Sequence, residues 1–171
     1  SEGAMANRLT YAVYNEDGYR VTGIEDKTIN FTGTATVNIP LAKGNTYNVL
    51  FWAANEDAPY DLNLGAVNVK PTLTVNYTDA NGNPAVFCNQ ENMDAFYKWH
   101  TVTVNGSVPQ TVELRRPFAQ LNIGTADLEA AKNAGVDVAG MQTAVVVKTL
   151  GNVLDFESGA VTGAVEVTFM S

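Results

Sequence analysis

The chain predicts an all-β fold, a two-sheet antiparallel sandwich with one short crossover helix, on three observations. Apolar and polar residues alternate from end to end, which is the period of a sheet with one wet face. Ten such runs follow one another at short spacing, a pattern that suits two packed sheets rather than a parallel α/β fold. Between them stand Asn15-Glu16-Asp17-Gly18, Lys43-Gly44-Asn45, Asp79-Ala80-Asn81-Gly82-Asn83 and Asn105-Gly106-Ser107, turn sequences whose Gly and Asn tolerate positive φ.

The expected strands are residues 9–14, 34–39, 46–53, 64–69, 73–77, 100–104, 111–115, 118–123, 142–148 and 165–169. In the third, Val49 and Phe51 are expected to point into the core. Phe51 and Trp52 are neighbours, so one faces in and the other out. In 118–123, Leu121 and Ile123 alternate with Asn122 and are also expected to face inward, while Pro117, lacking an N–H, fits the strand entrance. The period breaks at 126–134, where a short helix is expected: Thr125 can cap it, Asp127 and Glu129 lie in the first turn where the dipole favours negative charge, and Gly135 stands just past the end. Residues 89–97 read as loop or a single helical turn capped by Asn92. Without repeat, low-complexity tract or linker, 9–171 reads as one domain behind an N-terminal segment, 1–8.

At 171 residues the chain can bury roughly 70% of its unfolded surface, so packing alone can stabilise it. Cys88 is the one cysteine, so no internal disulfide forms. No apolar run approaches the length of a transmembrane helix. With 18 acidic against 10 basic residues the formal charge is −8, which argues against nucleic acid, since that needs clustered Lys and Arg to neutralise phosphate.

No catalytic, cofactor or metal set can be assembled. His100 is the one histidine and reads as a sheet residue, because no nucleophile or orienting acid stands at a recognisable spacing. Cys88 follows Val86-Phe87 and reads as a small apolar core residue. Asp79, Asn81 and Asn83 alternate like the first ligands of a calcium loop, but Pro84 takes the place of the required Gly and Gln90 that of the bidentate Glu; a hairpin turn explains them better. Glu16-Asp17 and Glu56-Asp57 read as solvated loop pairs. Adjacent Arg115 and Arg116 face opposite ways on a strand, so they do not form one anion clamp.

Three blocks carry a resemblance: LTYAVYNEDG (9–18), RPFAQLNIGT (116–125) and LDFESGAVTG (154–163). In this order they resemble the N-terminal domain of fimbrillins from Bacteroidetes, the major and minor subunits of type V pili. The resemblance implies a transthyretin-like β-sandwich and a non-enzymatic role: a structural or adhesive subunit of a cell-surface fimbria. Family members are made as lipoproteins, exported to the outer membrane, trimmed by an arginine-directed protease and polymerised by donor-strand exchange. The implied partners are other fimbrial subunits, with a host or bacterial surface ligand for adhesion and the outer membrane reached through a lipid anchor outside this chain. No cofactor is implied. Because 9–15 is similar to the first strand after the processing point, Leu9, Tyr11 and Val13 are expected to line an open edge or groove for a partner strand. The alternative is a surface glycan-binding sandwich, in which Trp99 pairs with Tyr97 or Trp52 as an exposed coplanar platform, with Tyr60 and Tyr77 as further aromatics.

Overall fold

The computed structural model describes residues 5–84, 89–107 and 109–170; Cys88 and its neighbours Val86 and Phe87 lie outside them. Among the described residues ten strands form two four-stranded antiparallel sheets and a two-stranded ribbon. The first sheet has the order β2 (Lys27–Asn30), β1 (Arg8–Tyr14), β3 (Thr46–Ala54), β6 (Ala95–Thr103). The second has the order β4 (Tyr60–Asn63), β5 (Thr72–Val75), β8 (Val153–Asp155), β9 (Val161–Thr162). The ribbon pairs β7 (Ala144–Leu150) with β10 (Val165–Met170). The fold is thus the antiparallel β-sandwich that the period-two pattern predicts.

Between the sheets lie Ala12, Tyr14, Leu50, Trp52 and Ala54 from the first and Leu73, Val75 and Leu154 from the second, with Phe156 just after β8. Phe156 sits 5.7 Å from the Trp52 ring and 5.6 Å from that of Tyr97, joining both sheets through aromatic edges. The Tyr14 hydroxyl crosses the sandwich to donate to the Leu64 carbonyl at 2.7 Å. Burial raises its pKa, as expected where the charged phenolate would lose its water.

β1 and β3 are buried on both faces. Their second face carries Val13, Tyr47 and Val49, covered by Val21, Ile24, Ile39 and Leu41 from the connecting loops. This corrects the expected orientation of β3: the residues facing the second sheet are Leu50, Trp52 and Ala54, while Val49 and Phe51 lie under loops on the opposite face. Trp52 is therefore the inward member of the Phe51-Trp52 pair. Buried Asn48 pins the turn after β1, donating to the carbonyls of Asn15 (3.0 Å) and Glu16 (3.3 Å) and accepting from the Thr101 hydroxyl (2.6 Å).

Four predicted strands are not strands. Residues 34–39 run as a cover over the first sheet, so Ile39 is used for packing without ladder pairing. At 64–69 the chain has already turned: the Asn63 side chain accepts from the Gly65 N–H at 2.9 Å, Gly65 has φ 83°, and Ala66 pairs back on Val69. Residues 111–115 meet β6 through one pair, Tyr97 with Arg115. In 118–123, Leu121 is 77% exposed and Ile123 60%; the alternation is real, but a strand needs a neighbouring edge, and this segment has none among the described residues. The sequence pattern also passes over β2, β4, β8 and β9, the last only two residues long.

The helix forms as α1 (Leu128–Asn133), shorter than predicted, with Asp127 rather than Thr125 at its N-cap and Gly135 at φ 80° beyond its end. One 3-10 turn, Glu91–Met93, follows Gln90, so Asn92 lies inside the turn; the chain then enters β6 directly at Ala95.

Candidate functional site

Leu9, Tyr11 and Val13 do not line an open edge. β1 is an interior strand: Arg8–Tyr11 pairs with β2 and the whole strand pairs with β3. Past the end of β2, the Val21 N–H donates to the Val13 carbonyl at 3.1 Å and Tyr14 pairs with Arg20. All three side chains are buried. The expectation fails because β2, too short and polar to stand out in the sequence, occupies the edge that β1 was expected to present.

Among the described residues the free edges lie one strand further out. β2 ends the first sheet and β4 ends the second, and the seam between them is a cleft of about 290 Å³. Its walls are Thr10, Thr28, Trp52 and Ala54 on one side and Tyr60 and Leu62 on the other, with Arg8 and Glu56 at the rim. The Thr10 and Thr28 hydroxyls are 2.8 Å apart, and Arg8 pairs with the Glu56 carboxylate. Tyr60 is held from three sides. Its ring meets Trp52 edge-on at 5.3 Å and stacks on Phe118 at 5.6 Å, while its hydroxyl donates to the Met93 carbonyl. Burial raises its pKa, with the Tyr77 and Asp94 charges adding to the rise. The seam thus exposes the margin of the core between two strand edges. β2 and β4, four residues long each, are absent from the expected strands; the signals that could have found them are Thr28-Ile29 and the alternation from Tyr60 to Leu62.

On the far side of the first sheet, β6 borders a second cleft of about 380 Å³ lined by Lys98, His100, Thr111, Val112, Glu113 and Arg115. His100 is half-buried, and its Nε2 lies 2.9 Å from the Gln110 side-chain oxygen. Arg115 and Arg116 turn to different partners. Arg116 reaches the Asp94 carboxylate at 2.9 and 3.3 Å and lies over the Phe96 ring, whereas Arg115 lines the cleft.

The remaining candidates resolve into structural parts. Asp79 accepts from the Asn81 and Asn83 N–H groups at 2.8 and 2.9 Å and from the Asn83 side chain at 3.1 Å, which holds its carboxyl below the usual range, the Asn83 backbone bond first among the causes. Its oxygens are spent on their own hairpin turn. Among the described residues no group of three His, Cys, Asp or Glu side chains could hold a metal ion. The aromatics expected to form a platform pack into the core. Trp52 is 5% exposed, Trp99 lies 4.9 Å from Tyr14 at a tilt of 39°, Tyr97 turns to Phe156, and Tyr77 meets Phe169 edge-on. No exposed coplanar pair results from them.

A family model describing proteins of unknown function, DUF6562, matches residues 2–169. The chain belongs to this family. No curated protein matches the DUF6562 chain. Its fold is similar to a crystal structure from Bacteroides thetaiotaomicron, described as of candidate polysaccharide-binding proteins (DUF1812), with a TM-score of 0.55 and 12% identity. The alignment covers 95% of the DUF6562 chain and 56% of the Bacteroides one, so the chain spans little more than half the length of that structure. At this identity the likeness establishes the sandwich fold.

Proposed function

We propose that this protein is a structural or adhesive subunit of a bacterial cell-surface fimbria that accepts a strand from another subunit. The observation that carries the reading is the seam between β2 and β4, where two free strand edges flank a cleft that reaches Trp52 and Ala54. A strand laid along either edge satisfies its unpaired N–H and C=O groups and sends alternate side chains into the cleft. This replaces β1 as the acceptor and keeps the strand-addition logic. Two of the blocks that resemble fimbrillins also meet in space: the backbone of Gly18, in the first, lies against the Glu157 carboxylate, in the third. In this reading the working site is the cell surface, at the outer membrane.

The test uses synthetic peptides of candidate donor strands from fimbrial subunits, added to the 171-residue chain. At a hundredfold excess over Kd a ligand specific for the folded state adds about 2.7 kcal/mol, a rise of roughly 5–11 °C for a domain of this size. Leu62→Trp, which fills the cleft, should abolish the rise. If no donor peptide shifts the melting temperature, or if Leu62→Trp leaves the shift intact, the acceptor is not this seam.

A second reading, a surface glycan-binding module, is favoured by the description of the Bacteroides structure. The core positions of Trp52, Tyr97 and Trp99 weigh against its aromatic-platform form.

A further inference from the structure

We propose that the cleft beside β6 is a binding site for an acidic saccharide, a sugar bearing a carboxylate or sulfate among free hydroxyls. The inference is independent of strand addition, which concerns the opposite edge of the first sheet.

It begins with how the chain uses its cations. Six of its ten lysines and arginines are in ion pairs: Arg8, Arg20, Lys70, Arg116, Lys132 and Lys148. Of the four with no ion pair among the described residues, two, Lys98 and Arg115, line one cleft together with the single histidine. In a chain of net charge −8 this is a local reversal of sign, and like charges set side by side repel unless something negative comes between them. The cleft's one carboxylate, Glu113, is in no ion pair with either cation.

The lining suits a ligand with two kinds of group. Arg115 offers a planar fork that matches a carboxylate or sulfate, and Lys98 a mobile point charge. Glu113 repels a bare anion but accepts hydroxyl donors, and Thr111 can both donate and accept. His100 is oriented by Gln110. The backbone adds donors: Tyr97 exchanges both its backbone hydrogen bonds with Arg115, so its N–H and C=O point away from β3. By the period of two, the N–H and C=O of Trp99 and Thr101 point the same way, and no described strand pairs with them. A neutral sugar leaves the cations unanswered, and a simple anion leaves Glu113 and Thr111 unused.

The experiment is an amide NMR titration of the isotopically labelled 171-residue chain with five probes: tetragalacturonate, a chondroitin sulfate tetrasaccharide, neutral maltotetraose, a polyglutamate peptide and sodium sulfate. At least one acidic saccharide should shift the amides of Lys98, His100 and Arg115 with a Kd tenfold or more below that of sodium sulfate, and the better of the two identifies the anion as carboxylate or sulfate. Maltotetraose should shift nothing there. The double variant Lys98→Ala/Arg115→Ala should weaken saccharide binding at least tenfold with the melting temperature unchanged. Glu113→Ala should weaken the saccharide but not sulfate. The proposal is overturned by the absence of saccharide shifts, by maltotetraose binding equally well, or by sulfate or a polyglutamate peptide matching the saccharide, which would reduce the cleft to general anion attraction.

Discussion

Replacing Phe156 by alanine should be among the costliest single changes in this protein. Its side chain is 1% exposed and lies between Trp52 of one sheet and Tyr97 of the same sheet's outer strand, while its own N–H reaches the Pro71 carbonyl of the other sheet at 3.4 Å. Truncation removes a ring from a close-packed centre that cannot collapse without moving two sheets. Buried Phe to Ala changes cost about 3–5 kcal/mol, against a total stability on the order of 5–15 kcal/mol. At about 2–4 °C per kcal/mol for this chain length, the melting temperature should fall by roughly 6–20 °C. Leu121→Ala is the matched control, since a side chain 77% exposed should change stability by no more than about 0.5 kcal/mol. Urea unfolding followed by tryptophan fluorescence reads both, because Trp52 touches the altered site. A loss below about 1 kcal/mol for Phe156→Ala, or above about 2 kcal/mol for Leu121→Ala, would refute the core assignment.

Gly65→Ala should cost more than Gly44→Ala: both have positive φ, but a Cβ at Gly65 would stand 2.3 Å from the Val69 carbonyl oxygen while at Gly44 it meets open space. Denaturation midpoints should place Gly44→Ala near the 1–2 kcal/mol of the left-handed conformation alone and Gly65→Ala clearly beyond it; equal losses would contradict the hairpin geometry. Asn48→Leu should cost about 1–3 kcal/mol, because the carbonyls of Asn15 and Glu16 lose their donor, and a neutral result in urea unfolding would show that the pin is dispensable. Burial raises the phenol pKa of Tyr14 and Tyr60 above the ordinary value near 10. The sign follows from the neutral phenol being favoured in the folded state: this stability is full below the unfolded value and declines as pH rises above about 10. Alkaline titration at the phenolate absorbance should show these two tyrosines ionising late, together with unfolding, and early titration of all seven tyrosines would contradict it.

The parts of the fold legible in the sequence are those where local pattern and tertiary demand coincide. β1, β3, β7 and β10 fall where long apolar or alternating runs predict them, and Asp79 caps its own turn as its neighbours suggest. Period two fixes which residues share a face but not which face meets the other sheet, and in β3 that face is the one carrying Leu50, Trp52 and Ala54; loops carrying Val21, Ile24, Ile39 and Leu41 make both sides apolar. Nor does alternation supply a neighbour: Leu121 and Ile123 have the pattern of a strand and, among the described residues, no edge to join. The two clefts were less visible still. The seam depends on the four-residue strands β2 and β4; the second cleft depends on the return of residues 110–115 to β6, which the turn sequence Asn105-Gly106-Ser107 suggests without showing which side chains line it.

The most direct test of strand addition compares amide hydrogen exchange in the isolated chain with that of the same chain in fimbriae purified from the cell surface. Strand addition predicts added protection at one or both of Lys27–Asn30 and Tyr60–Asn63, the edges flanking the seam, with little change in β1, which is already paired on both sides. Unchanged exchange at both edges in the assembled fibre, or the absence of the chain from any surface fibre, would contradict it.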